Sequence, residues 1–411
     1  MNRSKHQPAH GCGLAGVAVM AAVFASVPAG PLLAADAPVP ARYAATYQGL
    51  ARLLDAELAR PVPNGPGPMP VASADLLIAN SNRGPVLLEP ATLAAVGPCL
   101  DRFRELGLGA VRIEVPYPLL RTDFPRFAEY LAFYRQVVRL AQARDLKVML
   151  HVTVLFSDTP FSPFKGLYRG LDLERFKREY RGMVRLVLRQ LQPDYLALLT
   201  EPDTQARLTG LRELVDPQVM AGVVAFALEG TERGRTLVGA GSGSWSGTAY
   251  AREIAEHTTV DFVAIHVYPV TGGLLDQARA MARVAHAAGK QVLMDEAWLF
   301  KTLAPGGGSS VAATSDVFRL DPYSFWQPLD QKFIAAMLKL AREERIGLVS
   351  FFWSSQFFAY LDYAPSLDWR RYAKVRQLHG QAAWRAIQAG RFSGTGEYLR
   401  NRLEGERAPG R

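Results

Sequence analysis

The sequence predicts a single α/β domain folded as a (β/α)8 TIM barrel, and three observations carry that prediction. Eight short apolar runs alternate with patterns of helical period, the order expected of a closed parallel barrel. No Gly-rich phosphate fingerprint opens any of the helical patterns, which sets aside a doubly wound nucleotide-binding sheet. With 411 residues, 49% of the composition hydrophobic, the chain has the material for one barrel-sized core plus tails.

Residues 1–35 have the order of a secretory signal peptide: basic Arg3 and Lys5, an apolar Ala-rich run, then small residues around Ala34-Ala35-Asp36-Ala37. Pro28, Gly30 and Pro31 interrupt the run, which favours cleavage over a retained anchor and leaves no stable membrane span. Cleavage removes Cys12, so Cys99 becomes the only cysteine and no internal disulfide can form. Residues 36–71 are rich in Ala and Pro, with a helical patch at 47–58, and read as a linker or an extension packed outside the domain.

The barrel then occupies residues 72–390. Strands are expected at 74–79, 110–115, 147–154, 195–200, 236–240, 262–267, 292–295 and 348–352, because these apolar runs are too short for helices. Helices are expected at 92–106, 126–144, 173–191, 217–232, 249–255, 275–288 and 329–344. Gly241-Ser242-Gly243-Ser244 lacks a P-loop lysine and reads as a flexible loop after its strand. Residues 391–411 are polar and read as a frayed tail. The net charge of +9 is spread over separated Lys and Arg residues with no basic block beside aromatics, so no nucleic-acid partner is indicated.

The strand ends carry the chemistry, since a barrel gathers all its C-terminal strand ends at one rim. Strand four runs through Leu198-Leu199-Thr200 into Glu201-Pro202, and strand seven runs through Met294-Asp295 into Glu296. Strand two carries Arg112 and Glu114 on one face, strand three His151 and Thr153, strand six His266 and Tyr268, and strand eight ends in Trp353. Singly, each has a bland account, such as an ion pair for Arg112 and Glu114, a core imidazole for His151, or a core aromatic for Trp353. Together they provide what glycosidic cleavage needs: one carboxylic acid for the leaving oxygen, one carboxylate to attack or to activate water, and groups that hold the two in opposite protonation states. His266, Tyr268 and Arg112 suit the second task. Trp353 offers a face for a sugar ring, and Trp245 and Trp298 lie just beyond strand ends where they could extend it.

This order resembles glycoside hydrolase clan A, the retaining (β/α)8 hydrolases that include cellulases and mannanases. The resemblance covers residues 75–384 and rests on Arg112 on strand two, His151 on three, Glu201-Pro202 after four, His266-Val267-Tyr268 after six, Glu296 after seven and Trp353 after eight. It implies Glu201 as the acid/base and Glu296 as the nucleophile. Arg112, His151, Thr200, His266, Tyr268, Trp298 and Trp353 are then the residues that bind substrate. The clan usually has Asn where this chain has Thr200, a departure that bears on the substrate more than on the mechanism. The implied partner is a β-linked polysaccharide or oligosaccharide, with no cofactor and no metal.

Two other classes compete with this reading. A carbohydrate-binding protein on an inactive glycosidase barrel would keep the rim but lose the chemistry, which the presence of both Glu201 and Glu296 disfavours. A metal-dependent hydrolase would want a third His, Asp or Glu at ligand spacing beside His151 and His266, and the sequence spacing suggests none.

Overall fold

The computed structural model describes residues 38–62, 65–156, 164–268, 271–303, 319–368 and 370–407. The leader expected over 1–35 lies outside them. The element order is α1 (Ala41–Ala59), β1 (Val71–Asp75), α2 (Pro90–Glu105), β2 (Ala110–Glu114), α3 (Phe127–Gln142), β3 (Lys147–Val152), α4 (Leu173–Leu191) and β4 (Tyr195–Leu198). There follow α5 (Pro202–Thr209), α6 (Pro217–Leu228), β5 (Leu237–Gly243), α7 (Ala249–His257), β6 (Phe262–Val267), α8 (Gly272–Ala287), β7 (Gln291–Ala297), α9 (Gln327–Glu343), β8 (Leu348–Phe351), α10 (Tyr372–Gln388) and α11 (Gly394–Arg407). The eight strands close in sequence order into an all-parallel barrel, β8 pairing with β1. The expected (β/α)8 barrel is therefore the observed fold.

Both faces of such strands are buried, which is why the sequence shows apolar runs and not alternation. Ala110, Met149, Tyr195, Ala197, Phe262, Ala264, Leu293 and Leu348 fill the floor of the barrel. The outward-facing side chains pack against the helical ring. Helix α4 shows how a ring helix is specified. Asp172 caps it by accepting from the Arg175 amide at 2.7 Å, and Phe176, Tyr180, Met183, Val184, Val187 and Leu191 recur at helical spacing on the buried side. Each fully buried side chain of this size contributes about 1.5–3 kcal/mol, so a Val184→Asp change would detach the helix. Gln192 in the left-handed region and Pro193 after it end the helix.

Four expectations need correction. The first strand is Val71–Asp75, not 74–79; Leu77–Ala79 form a 3-10 turn instead, because Val71-Ala72-Ser73-Ala74 has few large apolar residues to mark it as a strand. Gly241, Ser242 and Gly243 belong to β5 and not to a loop. A Cβ on Gly243 would lie 2.2 Å from the Trp245 ring, so the glycine admits a close approach of that indole. The tail expected at 391–411 forms α11 over Gly394–Arg407, with Leu399 and Leu403 buried against the rest of the core. Helices α5 and α10 were not expected at all. The N-terminal extension proves to be a packed one: α1 buries Tyr43, Leu50 and Leu54, Tyr47 stacks on Trp326 at 5.9 Å, and Glu57 pairs with Arg279. Among the described residues no helix is long and apolar enough to cross a membrane.

Candidate active site

Two backbone irregularities build the rim. In β7, Ala264 and His266 of β6 stand opposite Leu293 and Glu296, so β7 carries one extra residue there. That bulge lets two consecutive side chains, Asp295 and Glu296, both reach the barrel interior, where strict alternation would have turned one of them outward. At the end of β4, Leu199 adopts a φ of 44° and packs in the outer core beside Leu198, while Thr200 turns inward and Glu201 opens helix α5. A non-glycine residue in the left-handed region is strained, and strain of this kind concentrates at functional sites.

The residues so presented converge. Arg112 is buried and donates from Nη1 to Asp75 at 3.0 Å, and from Nη2 to Glu114 at 2.7 Å and to His151 Nδ1 at 2.9 Å. The same Nη2 lies 2.9 Å from Glu296 Oε2. Because a guanidinium can only donate, His151 Nδ1 accepts, and the ring proton sits on Nε2, which donates to Asp295 Oδ2 at 2.5 Å. Burial and the neighbouring Arg112 push the His151 pKa down, so this imidazole is neutral. His266 behaves oppositely. Its Nδ1 is 2.8 Å from Glu201 Oε1, and its Nε2 faces Asp295 Oδ2 at 3.5 Å. Burial opposes its charge, but Asp295, Glu296 and Glu201 raise its pKa well above the ordinary value.

The Tyr268 hydroxyl lies 2.9 Å from Glu201 Oε1 and is also hydrogen-bonded to Glu296. Its ring is held between Trp245, stacked at 4.7 Å, and Phe300, stacked at 4.9 Å. Carboxylate oxygens of Glu201 and Glu296 come within 4.8 Å of each other. Burial raises the Glu296 pKa, an effect that His266 and Arg112 only partly offset. Burial acts on Glu201 in the same sense, but the hydrogen bond and charge of His266, with Tyr268, bring its pKa below the usual carboxylate range. In the empty site the mobile proton is thus held away from Glu201.

Arg112, His151, Thr200, Glu201, His266, Tyr268 and Glu296 are therefore all brought together, but not all face the opening. The Glu201 side chain is 19% exposed and Glu296 8%. Thr200 and His151 are buried, with Thr200 Oγ1 3.3 Å from His151 Nε2, so both support the site from beneath. Trp298, 4% exposed, packs edge-on against Phe300 and Trp353 and backs the rim. Trp353 is half-buried, and Arg376 covers one of its faces at 3.8 Å.

Sequence reasoning passed over Asp75 and Asp295. Asp295 shares a face with Leu293 by alternation, and that signal was available. The expectation that His151 and His266 have no third ligand beside them also needs correction, since Asp295 brings a carboxylate to both. Ligands of a tetrahedral ion at about 2.1 Å stand roughly 3.4 Å apart, whereas the His151–Asp295 contact of 2.5 Å is a hydrogen bond. As arranged, this trio is bonded to itself.

No protein-family model and no curated protein matches the chain. Solved structures do. An exo-β-1,4-mannosidase from an Opitutaceae bacterium aligns with a TM-score of 0.51 at 15% identity, over 84% of this chain and 60% of that one, less than two thirds of its length. A GH5_18 protein from Bifidobacterium longum subsp. longum, in complex with Manβ1-4GlcNAc, aligns at 0.52 and 14% identity over 83% of this chain and 79% of that one. Another from Streptomyces cattleya, with the same disaccharide, gives 0.52 and 14% over 83% and 82%. The chain shares their barrel fold. This is the fold that the resemblance to clan A implied, and it includes the rim on which Glu201 and Glu296 stand.

Proposed function

We propose that the protein is a retaining glycoside hydrolase acting on a β-linked glycan, with Glu296 as nucleophile and Glu201 as acid/base. The observation that carries this reading is that Glu201 and Glu296 turn oxygens toward one another across a single Tyr268 hydroxyl, with the facing oxygens within 4.8 Å. Retaining enzymes hold their carboxyl groups about 5–5.5 Å apart, while inverting ones need about 6.5–9.5 Å to admit water. The contacts suit the two roles, while the pKa directions of the empty site, Glu296 raised and Glu201 lowered, require a proton to reach Glu201 once substrate binds. Arg112 sets its positive charge beside Glu296 and Tyr268 donates to it, which steadies the anion that attacks the anomeric carbon. Glu201 is the more exposed of the two and has His266 at hydrogen-bond distance, so it can receive a proton and pass it to the leaving oxygen.

In the first step a Glu296 oxygen bonds to the anomeric carbon as the glycosidic bond breaks, and the leaving oxygen takes its proton from Glu201. In the second step water attacks the glycosyl ester, Glu201 takes the water proton, and Glu296 leaves as carboxylate. The structural neighbours in complex with Manβ1-4GlcNAc make a β-mannoside the first substrate to try, ahead of β-glucans and β-xylans. We infer further that the chain is exported, on the leader pattern at residues 1–35.

The test is a panel of manno-, cello- and xylo-oligosaccharides digested by the purified protein, with the anomeric configuration of the first product followed by proton NMR. Release of a β-anomer supports retention, with Glu296→Gln inactive. Binding of a glycan without turnover would return the inactive-barrel reading, and an α-anomer would mean inversion. For export, N-terminal sequencing of protein recovered from the periplasm or medium should begin near Asp36 or Ala37; a chain that keeps Met1 in a membrane fraction refutes it.

A further inference from the structure

Asp295 is buried at the centre of the barrel between two imidazoles whose rings lie 5.6 Å apart and 20° from parallel. A carboxylate there needs a counter-charge. His151 cannot supply it, because Arg112 donates to its Nδ1 and leaves only one proton on the ring. That leaves His266, whose Nε2 faces Asp295 Oδ2 at 3.5 Å. On its other side, His266 Nδ1 meets Glu201 at 2.8 Å and Glu296 at 3.9 Å. Among the described residues the remaining titratable neighbour is Tyr268, which is bonded to both glutamates, while β5 brings Gly241, Ser242 and Gly243 past this level.

We propose that Asp295 is a positioning residue that keeps His266 doubly protonated, so that His266 stores the proton which Glu201 delivers to the leaving group. The inference rests on the glycosidase reading for its catalytic consequence, though not for the protonation itself. The proton path balances. The Nδ1 proton of His266 moves to Glu201 Oε1 when substrate displaces the solvent that stabilises the Glu201 anion, and Glu201 passes it to the departing oxygen. Neutral His266 keeps its Nε2 proton toward Asp295. In the second step Glu201 takes a proton from water and returns it to His266 Nδ1. A like role for Glu201 alone would need its carboxyl to hold the proton in the empty site, against the hydrogen bond that His266 Nδ1 donates to it.

Asp295→Asn tests this with little change of shape. An asparagine oxygen in the place of Oδ2 still accepts from His151 Nε2 and still faces His266 Nε2, but it carries no charge, so the imidazolium loses the carboxylate that balances it. Two readouts follow. By nitrogen-15 NMR on histidine-labelled full-length protein, with His266→Gln for assignment, wild-type His266 should remain an imidazolium above pH 7, and in Asp295→Asn it should lose its proton at least one pH unit lower. In kinetics, the alkaline limb of kcat/KM should move down by at least one unit. The loss should exceed tenfold for alkyl or sugar leaving groups yet be small for a dinitrophenyl glycoside, which needs no protonation. A neutral wild-type His266 at pH 7 overturns the proposal, and that measurement stands even if Asp295→Asn does not fold. So does an unchanged alkaline limb, or an equal loss for every leaving group. If wild-type protein cleaves no glycoside while His266 titrates as expected, the glycosidase reading fails and the Asp295–His266 pairing survives.

Discussion

Arg112 Nη2 lies 2.9 Å from Glu296 Oε2 in a site where neither side chain is more than 8% exposed. The contact opposes the burial that raises the Glu296 pKa. A nucleophile must be ionised, so kcat/KM should fall as pH drops through this raised value, at a pH above the ordinary glutamate range near 4.3. Replacing Arg112 by Met removes the positive charge, which should move the acid limb to still higher pH. It also strands Asp75 and Glu114, and loss of one partner of a buried ion pair typically costs about 3–5 kcal/mol. Arg112→Lys keeps the charge but cannot reach Asp75, Glu114 and Glu296 together, and should fall between the two. The check is a pH–rate profile corrected for folded fraction. An acid limb that stays in place in Arg112→Met would mean that Glu296 is not the group titrating.

The bridge made by the Tyr268 hydroxyl gives a second expectation. Tyr268→Phe removes hydrogen bonds to both glutamates but leaves the ring between Trp245 and Phe300, so the melting temperature should change little. A hydrogen bond to a charged group contributes about 1.5–3 kcal/mol, which corresponds to a loss of roughly 10- to 150-fold in kcat/KM. Full activity in Tyr268→Phe would show that the hydroxyl bridges the carboxylates only when the site is empty.

For Trp353 the structure changes what its removal should do. One indole face already carries the Arg376 guanidinium at 3.8 Å, and Arg376 is paired with Asp321 at 3.0 Å. Trp353→Ala should raise KM through loss of the remaining face, and should also lower stability by roughly 0.5–2 kcal/mol as the cation–π contact disappears. Thermal melts alongside Michaelis–Menten kinetics separate the two effects. A stability loss with unchanged KM would make the tryptophan part of the core alone.

How legible all this was in the sequence depends on what kind of signal each feature leaves. Strands β2, β3, β6 and β8 stood out because burial on both faces demands apolar runs, and α4 because its apolar residues recur at helical spacing. β1 was misplaced since its small residues pack without announcing themselves. Helix α11 is hard to see because its few apolar anchors, Tyr398, Leu399 and Leu403, sit in a largely polar segment. Glu201 and Glu296 could be found as acidic ends to apolar runs. The bulge in β7 and the left-handed Leu199, which aim them, leave no residue-type signature. Nor does sequence show that Thr200 and His151 are buried beneath Glu201 and Glu296.

The last expectation distinguishes the two glutamates. Their carboxylates are close enough for a double displacement, yet their surroundings differ: Glu296 is held by Arg112 and Tyr268, Glu201 by His266 and Tyr268. Under the proposed mechanism Glu296→Ala removes the atom that bonds to the anomeric carbon, so turnover should vanish on every substrate, whatever its leaving group. Glu201→Ala removes only the proton donor and, later, the base. Activated aryl glycosides should still form the glycosyl-enzyme, and that intermediate should accumulate because no base activates water. Added azide needs no deprotonation and fits the space left by the carboxylate, so it should restore turnover and yield a β-glycosyl azide, the product of two inversions. In Glu296→Ala, azide attacking once from the vacated side would instead give the α-azide. Mass spectrometry of the trapped ester on Glu296 and NMR of the azide product read both outcomes. A β-azide from the Glu296 variant, or equal losses for both variants with no rescue in either, would require the two roles to be reassigned.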